Sequence, residues 1–447
     1  MNLEPLPTER PAPAELHGAH VAEMLRRAEA ILETEPFDSI LLHAGTPLRY
    51  FADDQEAPLR PNPPFAQWTP LEGPHHLLKV APGRKPVLIR VSPEDYWSEP
   101  PSLGDPFWLG EFDLFEVPDD GQAWKRATPG RFTAYVGDAP ERARDHGIPP
   151  DGLNPERLVR RLDWDRSFKT PYEVSCVEEA CRLAAKAHGA ARGAFEAGAS
   201  ELEIHRVYVA SLGCTDKELP YESIVALDEK GATLHYTGKR SVRGGNVLLL
   251  DSGARHLGYA SDITRTWSRE SCDPVFRDLV AGLDALQQEL CALVRPGLPF
   301  PDLHLAAHLR IGDLLHALGI LRCGGEEALT TGLTAPFFPH GLGHFLGLQV
   351  HDVAGRQRAP DGGETPPPPG HPFLRTTRTI EANQVLTVEP GVYFIPMLLR
   401  PYRAGSTSSR FDWSLVDRLA RFGGVRVEDD VLVTEDGHRN LTRPHVG

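Results

Sequence analysis

Two strand-like runs joined by a short turn are the feature that most restricts how this chain can fold. Residues 247–250 form an apolar run, and residues 259–267 are rich in β-branched and aromatic side chains. Gly258, which lies between them, is a residue that tight turns favour. The two runs are therefore predicted to pair as an antiparallel hairpin.

Asp251 and Asp262 flank this predicted turn. A turn centred between His256 and Leu257 would place the two carboxylates directly opposite each other. Like charges at such positions are destabilising, because their Cβ atoms are only about 4.5–5.5 Å apart. The hairpin therefore needs a cation between the aspartates, and both Arg265 and a metal ion would serve. Ordinary turn positions for the two aspartates are the alternative interpretation.

The composition excludes several classes of function. The chain has 447 residues, a formal net charge of -15 and a pI of about 5.7. This acidity argues against a nucleic-acid partner and against binding to anionic membranes. No apolar run has the length of a membrane span, and the N-terminus lacks the pattern of a secretory signal. Six scattered cysteines without a CxxC motif favour a reduced, cytoplasmic protein.

The first part of the chain alternates helix and strand signals. A helix is predicted at 20–34, and strands are predicted at 39–43, 86–91 and 132–136. This mixture indicates a small α/β domain covering residues 1–157, and the first fifteen or so residues are expected to form a loose arm. The division is placed at 157/158, within a boundary region at 152–165.

Helices interrupted by apolar strands characterise the second region, residues 158–447. Thr170, Pro171 and Glu173 form a helix start with a capping box, and Ser200 and Glu203 repeat this signal. A third long helix is predicted at 275–294. This region is expected to be one α+β domain that carries the chemistry.

Further candidate site residues follow the predicted hairpin. Three histidines, His340, His344 and His351, lie in a glycine-rich segment that lets the backbone approach closely. Glu389 ends an apolar strand before a Pro-Gly turn. Glu428 follows Arg426 by two residues, so strand alternation places both on one face. His235 precedes the first aspartate.

Four carboxylates with one imidazole suggest a metal site. Oxygen-rich ligation with a single histidine suits Mn²⁺ better than Zn²⁺ and differs from thiolate sites. Four carboxylates carry more charge than one ion requires. Two metal ions about 3.5–4 Å apart would neutralise the carboxylates and hold a hydroxide between them. The HExxH, GxSxG and P-loop motifs are absent from the sequence.

The chain resembles the pita-bread metallopeptidases, which include methionine aminopeptidase, aminopeptidase P and prolidase, and is most similar to the bacterial prolidases. The segments that carry the resemblance are LLLDSGARHLGYASDITRTW, HGLGHFLGLQVHDVAG, FLRTTR, LTVEPGVYFI and GGVRVEDDVLVTE. The implied fold is α+β, a pita-bread catalytic domain at 158–447 preceded by a smaller α/β domain at 1–157.

The resemblance implies a role for each matching residue. The metal ligands would be Asp251, Asp262, His344, Glu389 and Glu428, with Asp262 and Glu428 bridging two ions. Glu389 would also transfer protons. His235 and His351 would stabilise the scissile carbonyl, whereas His340 has a less defined catalytic role. Arg375 would hold the carboxylate of proline, and Arg426 would support the bridging glutamate from outside the ligand set.

The implied activity is hydrolysis of Xaa-Pro dipeptides, with a metal-bridging hydroxide as the nucleophile. The implied cofactor is a pair of Mn²⁺ ions per subunit, with Co²⁺ or Zn²⁺ as alternatives, and the implied assembly is a homodimer. Three other functions remain open: aminopeptidase P activity on longer peptides, a side activity on organophosphate esters, and a metal-free binding role. Arg375 and the prolidase-like N-terminal half favour the dipeptidase.

Overall fold

The protein is described here from a computed structural model that covers residues 12–97 and 102–446. Two compact units are present. The first contains the residues up to Arg166, together with 170–176 and 359–363, and the second contains 167–169, 177–358 and the residues from Glu364 onwards. The division predicted between residues 157 and 158 stays a prediction.

The first unit is built from short helices and a five-stranded sheet. Its helices are α1 (Pro13–Leu32), α2 (Pro63–Ala66), α3 (Asp120–Ala127), α4 (Pro140–Asp145) and α5 (Glu156–Arg166). Its strands are β1 (Ser39–His43), β2 (Leu77–Val80), β3 (Val87–Val91), β4 (Asp113–Val117) and β5 (Thr133–Val136).

This sheet has the order β4-β3-β2-β1-β5, in which the β3–β4 and β1–β5 pairs are parallel and the others antiparallel. Both of its faces are buried. In β1, Ile40 and Leu42 belong to the hydrophobic cluster that includes α1, whereas Leu41 packs with Trp124 of α3. Because successive side chains point to opposite faces of the sheet, β1 contributes to two hydrophobic cores. Helices on both faces of the sheet confirm the predicted α/β class.

The predicted first helix is real but begins earlier than expected. It starts at Pro13, and the fixed φ angle of proline suits the first helical position. Residues 13–15 of the predicted N-terminal arm are therefore helical, and its residues 1–11 lie outside the described residues.

The second unit contains most of the remaining helices and strands. Its helices are α6 (Pro171–Glu196, whose first residues belong to the first unit), α7 (Glu201–Leu212), α8 (Pro274–Leu293), α9 (Phe300–Ala317), α10 (Gly325–Thr330), α11 (Pro396–Ala404) and α12 (Trp413–Ala420). The remaining strands are β6 (Ile224–Leu227), β7 (Val247–Asp251), β8 (Arg255–His256), β9 (Tyr259–Ala260), β10 (Thr264–Ser268), β11 (Gln357–Ala359), β12 (Gly362–Glu364), β13 (Val385–Val388), β14 (Gly391–Tyr393), β15 (Gly424–Arg426), β16 (Asp429–Val433) and β17 (His438–Asn440). Residues 359–363 of β11 and β12 belong to the first unit.

Helix pairs cover the outer faces of the strands in this unit. Helices α6 and α7 share a hydrophobic cluster with β6 and β7, and α8 and α9 share another with β13 to β16. The sheets have the orders β10-β7-β6 and β13-β16-β17, and β14 pairs with β15. This layered arrangement of helices and sheets confirms the predicted α+β fold class. The helices do not cover the ends of β7 and β13, where candidate site residues lie.

Both predicted capping boxes are present. The carboxylate of Glu173 accepts a 2.9 Å hydrogen bond from the main-chain N–H of Thr170. Ser200 and Glu203 make the reciprocal pair at the start of α7. Each cap satisfies N–H groups that the first helical turn leaves unpaired.

Among residues 12–97 and 102–446, no helix combines the length and apolarity needed to cross a membrane. All six cysteines carry free thiols, and only Cys214 is not buried.

Candidate metal centre

Five separate chain segments bring the predicted metal ligands together in the second unit. The five side chains line one cavity of about 640 Å³. They lie at the end of β7 (Asp251), just before β10 (Asp262), in the glycine-rich loop (His344), directly after β13 (Glu389), and between β15 and β16 (Glu428).

The predicted hairpin forms, but its register differs from the prediction. Asp251 pairs with Thr264 and not with Asp262. The two turn residues are Leu257 and Gly258, both with positive φ (48° and 90°), which is the backbone geometry of a two-residue hairpin loop. The resulting slip of two residues leaves Asp262 on the same face as Thr264, so the two carboxylates remain neighbours diagonally.

The cation beside the aspartates is not Arg265, which corrects one of the two options left open by the sequence. Its guanidinium donates 2.6 Å to Asp429 and 2.7 Å to the main-chain oxygen of Glu428. Arg426 fills this role, because its Nη2 donates 2.5 Å to Oδ2 of Asp251. Arg426 also donates to the hydroxyl of Tyr393 at 2.8 Å.

His344 is oriented so that one ring nitrogen faces the carboxylates. Its Nδ1 donates to the main-chain oxygen of Phe345 at 3.0 Å. Nε2 then lies 3.5 Å from Oδ2 of Asp262 and 3.7 Å from Oε1 of Glu389. Fixing one ring nitrogen by a main-chain bond is the usual way to present the other to a metal.

The loop before His344 depends on Gly343. A Cβ atom at this position would lie 2.0 Å from the main-chain oxygen of Thr387. That contact brings the loop against β13, where the main-chain N–H of Thr387 donates to the oxygen of His344 at 2.9 Å. Only glycine allows this approach, so Gly343 fixes the position of His344 against β13.

The remaining carboxylates are held by hydroxyl groups. Tyr221 donates 2.6 Å to Oδ1 of Asp262, and Thr264 donates 2.7 Å to Oε2 of Glu428. By contrast, Oδ1 of Asp251 is buried and has no hydrogen-bond partner among the described residues. An unpaired buried oxygen is costly unless something else binds it.

The electrostatics of the cluster also call for added positive charge. Burial, reinforced by the neighbouring carboxylates, raises the pKa of Glu428 well above its usual range and that of Asp251 in the same direction. Burial raises the pKa of Glu389 to about 7. Asp262, His344 and Glu428 also offer ligand atoms within 4.8 Å of one another. The donor set therefore fits hard-to-borderline divalent cations.

The three other predicted histidines lie around the same cavity. His340 is fixed by two hydrogen bonds: its Nδ1 donates to the main-chain oxygen of Gly341 (2.8 Å), and its Nε2 accepts from the hydroxyl of Tyr393 (2.9 Å). The ring of His351 stands edge-on to that of His344, with centroids 4.4 Å apart. Desolvation, helped by the charges of His344 and Arg375, lowers the pKa of His351 to about 4.

Two predicted substrate-side residues lie at the cavity rim. His235 and Arg375 are exposed and line the cavity together with Phe373 and Met397. An exposed guanidinium above a carboxylate-lined cavity is suited to binding an anionic group at the outer end of a substrate.

Two tyrosines that contact the site were not predicted. Tyr221 donates to Asp262, and Tyr393 joins Arg426 to His340. Tyr393 ends β14, four residues after Glu389, whereas Tyr221 lies 41 residues before Asp262 in the sequence. The short separation from Glu389 is a signal for Tyr393, and the sequence offers none for Tyr221.

Known proteins match this chain over most of its length. A sequence model of metallopeptidase family M24 matches residues 175–435, and a model of the Xaa-Pro dipeptidase N-terminal domain matches residues 15–164. The Xaa-Pro dipeptidase of Stenotrophomonas maltophilia (strain K279a) is 40% identical over 437 residues, which is 97% of each chain. That of Pseudoalteromonas atlantica is 40% identical over 96% of this chain and 98% of its own.

Solved structures share the fold. Zinc-substituted Escherichia coli aminopeptidase P in complex with product superposes with a TM-score of 0.71 at 24% identity, covering 95% of this chain and 96% of its own. Pseudomonas aeruginosa aminopeptidase PepP gives a TM-score of 0.71 at 24% identity, with 95% of each chain covered. At this identity the two structures establish the common fold alone.

Proposed function

The chain belongs to metallopeptidase family M24 and carries the N-terminal domain of Xaa-Pro dipeptidases, and from this premise we propose that it hydrolyses Xaa-Pro dipeptides. The observation that carries the proposal is one cavity in which four carboxylates and His344 lie below the exposed guanidinium of Arg375. Relatives that are 40% identical over nearly the full length are themselves Xaa-Pro dipeptidases, which supports it.

Two divalent cations are the proposed cofactor. Asp251, Asp262, His344, Glu389 and Glu428 would hold them, and Mn²⁺ is the ion that we favour, with Co²⁺ and Zn²⁺ as alternatives. A bound metal pair would supply an activated water molecule and polarise the scissile carbonyl. The unpaired Oδ1 of Asp251 and the mutual repulsion of the carboxylates support this assignment.

The chain's own residues would position the substrate and move its protons. Arg375 would bind the free carboxylate of proline through paired N–H donors, which selects dipeptides over longer peptides. Glu389 would also accept and release a proton during the reaction. His235 and His351 would donate to the carbonyl oxygen, and the lowered pKa of His351 keeps its imidazole neutral for this role.

Two residues would act through their neighbours. His340 lies 3.6 Å from Oε2 of Glu389 and would steady this carboxylate during proton transfer. Arg426 would neutralise part of the charge on Asp251 and fix its orientation, because three of its nitrogens are engaged in the cavity wall.

The assembly and location are further proposals. A homodimer is supported by exposed aromatic side chains in the first unit, where Phe51 and Trp97 expose 101% and 81% of their surfaces. Free, mostly buried cysteines support a cytoplasmic location. Light scattering in solution would test the dimer directly.

The deciding experiment is hydrolysis of Leu-Pro and of Leu-Pro-Gly by metal-stripped protein before and after adding Mn²⁺. Cleavage of Leu-Pro alone, restored by the metal, is the expected result. Comparable cleavage of Leu-Pro-Gly would assign aminopeptidase P activity instead and remove the proposed role of Arg375. Cleavage of neither peptide by the metal-loaded protein would contradict both peptidase activities.

A further inference from the structure

Three histidines outside the carboxylate cavity lie in mutual contact. His304 and His308 are separated by one turn of α9, and His371 approaches them from the segment before Pro372. Each pair of rings has its centroids 4.7 Å apart. One ring nitrogen from each histidine lies within 4.8 Å of the other two. We refer to His304, His308 and His371 as the three-histidine cluster.

The hydrogen bonds of this cluster leave ring nitrogens free. Nδ1 of His308 is bonded to Oγ1 of Thr334 at 2.8 Å, and its Nε2 has no partner among the described residues. Nε2 of His304 and Nδ1 of His371 share a hydrogen bond of 2.9 Å. Nδ1 of His304 likewise has no partner among the described residues. The bond to Thr334 matches the outer-shell contact that orients histidine ligands.

The surroundings keep the rings in the form that binds metals. His304 and His308 expose only 1% and 2% of their surfaces, and the ring of Phe338 packs against both. Burial lowers the pKa of His304 to about 2 and that of His308 to about 3, so both imidazoles are neutral at physiological pH. Neutral imidazoles keep the lone pairs that a metal requires.

A satisfied hydrogen-bond network would account for this cluster less well. The bond between His304 and His371 satisfies two nitrogens, but the buried Nε2 of His308, which is the nitrogen available to an ion, remains unpaired among the described residues. Each unpaired buried polar atom costs about 1–3 kcal/mol. Tetrahedral zinc with bonds of about 2.0–2.1 Å places two nitrogen ligands about 3.3 Å apart, close to the existing 2.9 Å separation.

We propose that His304, His308 and His371 form a binding site for one borderline divalent transition metal, of which Zn²⁺ is the representative. The all-imidazole donor set selects this class of ion, in contrast to the carboxylates of the main cavity. His371 is only half-buried, so the site can be reached from solvent on its side. The bound ion takes the place of the proton that His304 and His371 share, and this proton moves to the other nitrogen of the same ring, so that the imidazoles stay neutral.

This site has a consequence for the main cavity. His371 immediately precedes Pro372 and Phe373, which line that cavity with Arg375. A metal bound to the three-histidine cluster would therefore link the segment 371–375 to helix α9. The site itself does not depend on the proposed peptidase activity.

The test is a count of Zn²⁺ per chain after chelation and equilibration at micromolar free Zn²⁺. The wild type is expected to bind one more Zn²⁺ per chain than His371→Ala and one more than His308→Ala. The comparison is a difference between variants, so it holds whether the carboxylate cavity takes one ion or two. His371→Ala removes a half-buried side chain and is the variant with less risk to folding.

His316→Gln is the matched control, because His316 lies on the same helix and bonds the main-chain oxygen of Leu321 at 3.2 Å. This variant is expected to keep the full zinc content. Equal zinc content in the wild type and His371→Ala overturns the proposal. Loss of more than one ion in His371→Ala also overturns it, since the substitution would then act through the carboxylate cavity. Circular dichroism of each metal-free variant confirms that it is folded.

Discussion

The guanidinium of Arg426 donates a 2.5 Å hydrogen bond to Oδ2 of Asp251, and the other oxygen of this carboxylate stays unpaired within the described part of the chain. One side of Asp251 is therefore bound by a permanent cation, and the other side is available to a metal. Both residues are buried, so the pair is shielded from solvent screening.

Replacing Arg426 by methionine is expected to destabilise the metal-free protein by about 3–5 kcal/mol, because the substitution leaves the buried carboxylate of Asp251 without its partner. Urea unfolding measures this change. The control is Arg403→Met, which removes an exposed ion pair with Asp417 and should cost less than about 1 kcal/mol. Equal destabilisation by the two substitutions would show that the buried pair of Arg426 and Asp251 contributes no more to stability than an exposed ion pair.

Removing the metal and removing a ligand should have opposite effects on stability. Glu428→Gln is expected to abolish recovery of activity by Mn²⁺. It should also stabilise the chelator-treated protein by roughly 1–3 kcal/mol, because one of three crowded buried carboxylates (Asp251, Asp262 and Glu428) is gone. Thermal unfolding and metal analysis measure the two effects.

Glu435→Gln is the matched control, since Glu435 is exposed and lies in the turn after β16. Both its stability and its recovery of activity should equal those of the wild type. A chelator-treated Glu428→Gln protein that is less stable than the wild type would contradict the crowding argument.

Arg375→Ala should raise KM for Leu-Pro by about 10- to 100-fold. This change in affinity corresponds to the free energy of a hydrogen bond between a charged donor and a carboxylate. Steady-state kinetics with Leu-Pro amide supply the comparison, because this substrate lacks the free carboxylate. The substitution should leave hydrolysis of the amide unchanged. Arg375→Lys should fall between the wild type and the alanine variant, since lysine keeps the charge without the paired donors.

Acid should destabilise the first unit before most carboxylates titrate. Burial lowers the pKa of His17, His43 and His76 to about 4 in the folded protein, from an ordinary value of about 6.5. Below pH 6.5 the three histidines become protonated in the unfolded chain but stay neutral in the folded unit. Stability is therefore fully present above pH 6.5 and falls as the pH decreases towards 4, by at most about 1.4 kcal/mol per pH unit for each histidine.

Urea midpoints measured by tryptophan fluorescence between pH 8 and pH 4 test this prediction. The midpoint should be level above pH 7 and decline below pH 6.5. His43→Gln should decline less steeply, because one histidine no longer contributes. A midpoint that stays constant from pH 7 to pH 5 would contradict the prediction.

The five side chains predicted as metal ligands line one cavity, whereas the predicted pairing of two of them differs from the structure. Asp251 and Asp262 could be placed on one face because side chains alternate along strands. Their register was wrong by two residues, because the turn uses Leu257, a residue that rarely adopts positive φ. A slip of two residues preserves the face, which is why the carboxylates still meet.

Contacts between distant segments could not be predicted. Arg265 and Arg426 are both arginines close to candidate ligands, and local spacing does not show which one faces Asp251. The pairing of Arg265 with Asp429 depends on the bridge between Thr264 and Glu428, which joins strands far apart in the chain. Tyr221 reaches Asp262 from a segment before β6 for the same reason.

The five proposed ligands span the second unit from Asp251, at the end of β7, to Glu428, just before β16. The parts of the first unit up to residue 176 leave the ribosome before any of these ligands, whereas its residues 359–363 follow His344. Asp251 and Asp262 leave the ribosome long before Glu428 exists to complete the cluster. Loading of the proposed metal centre would consequently be a late event in the life of the chain, and truncated products that end before Glu428 would be made without one of its proposed ligands.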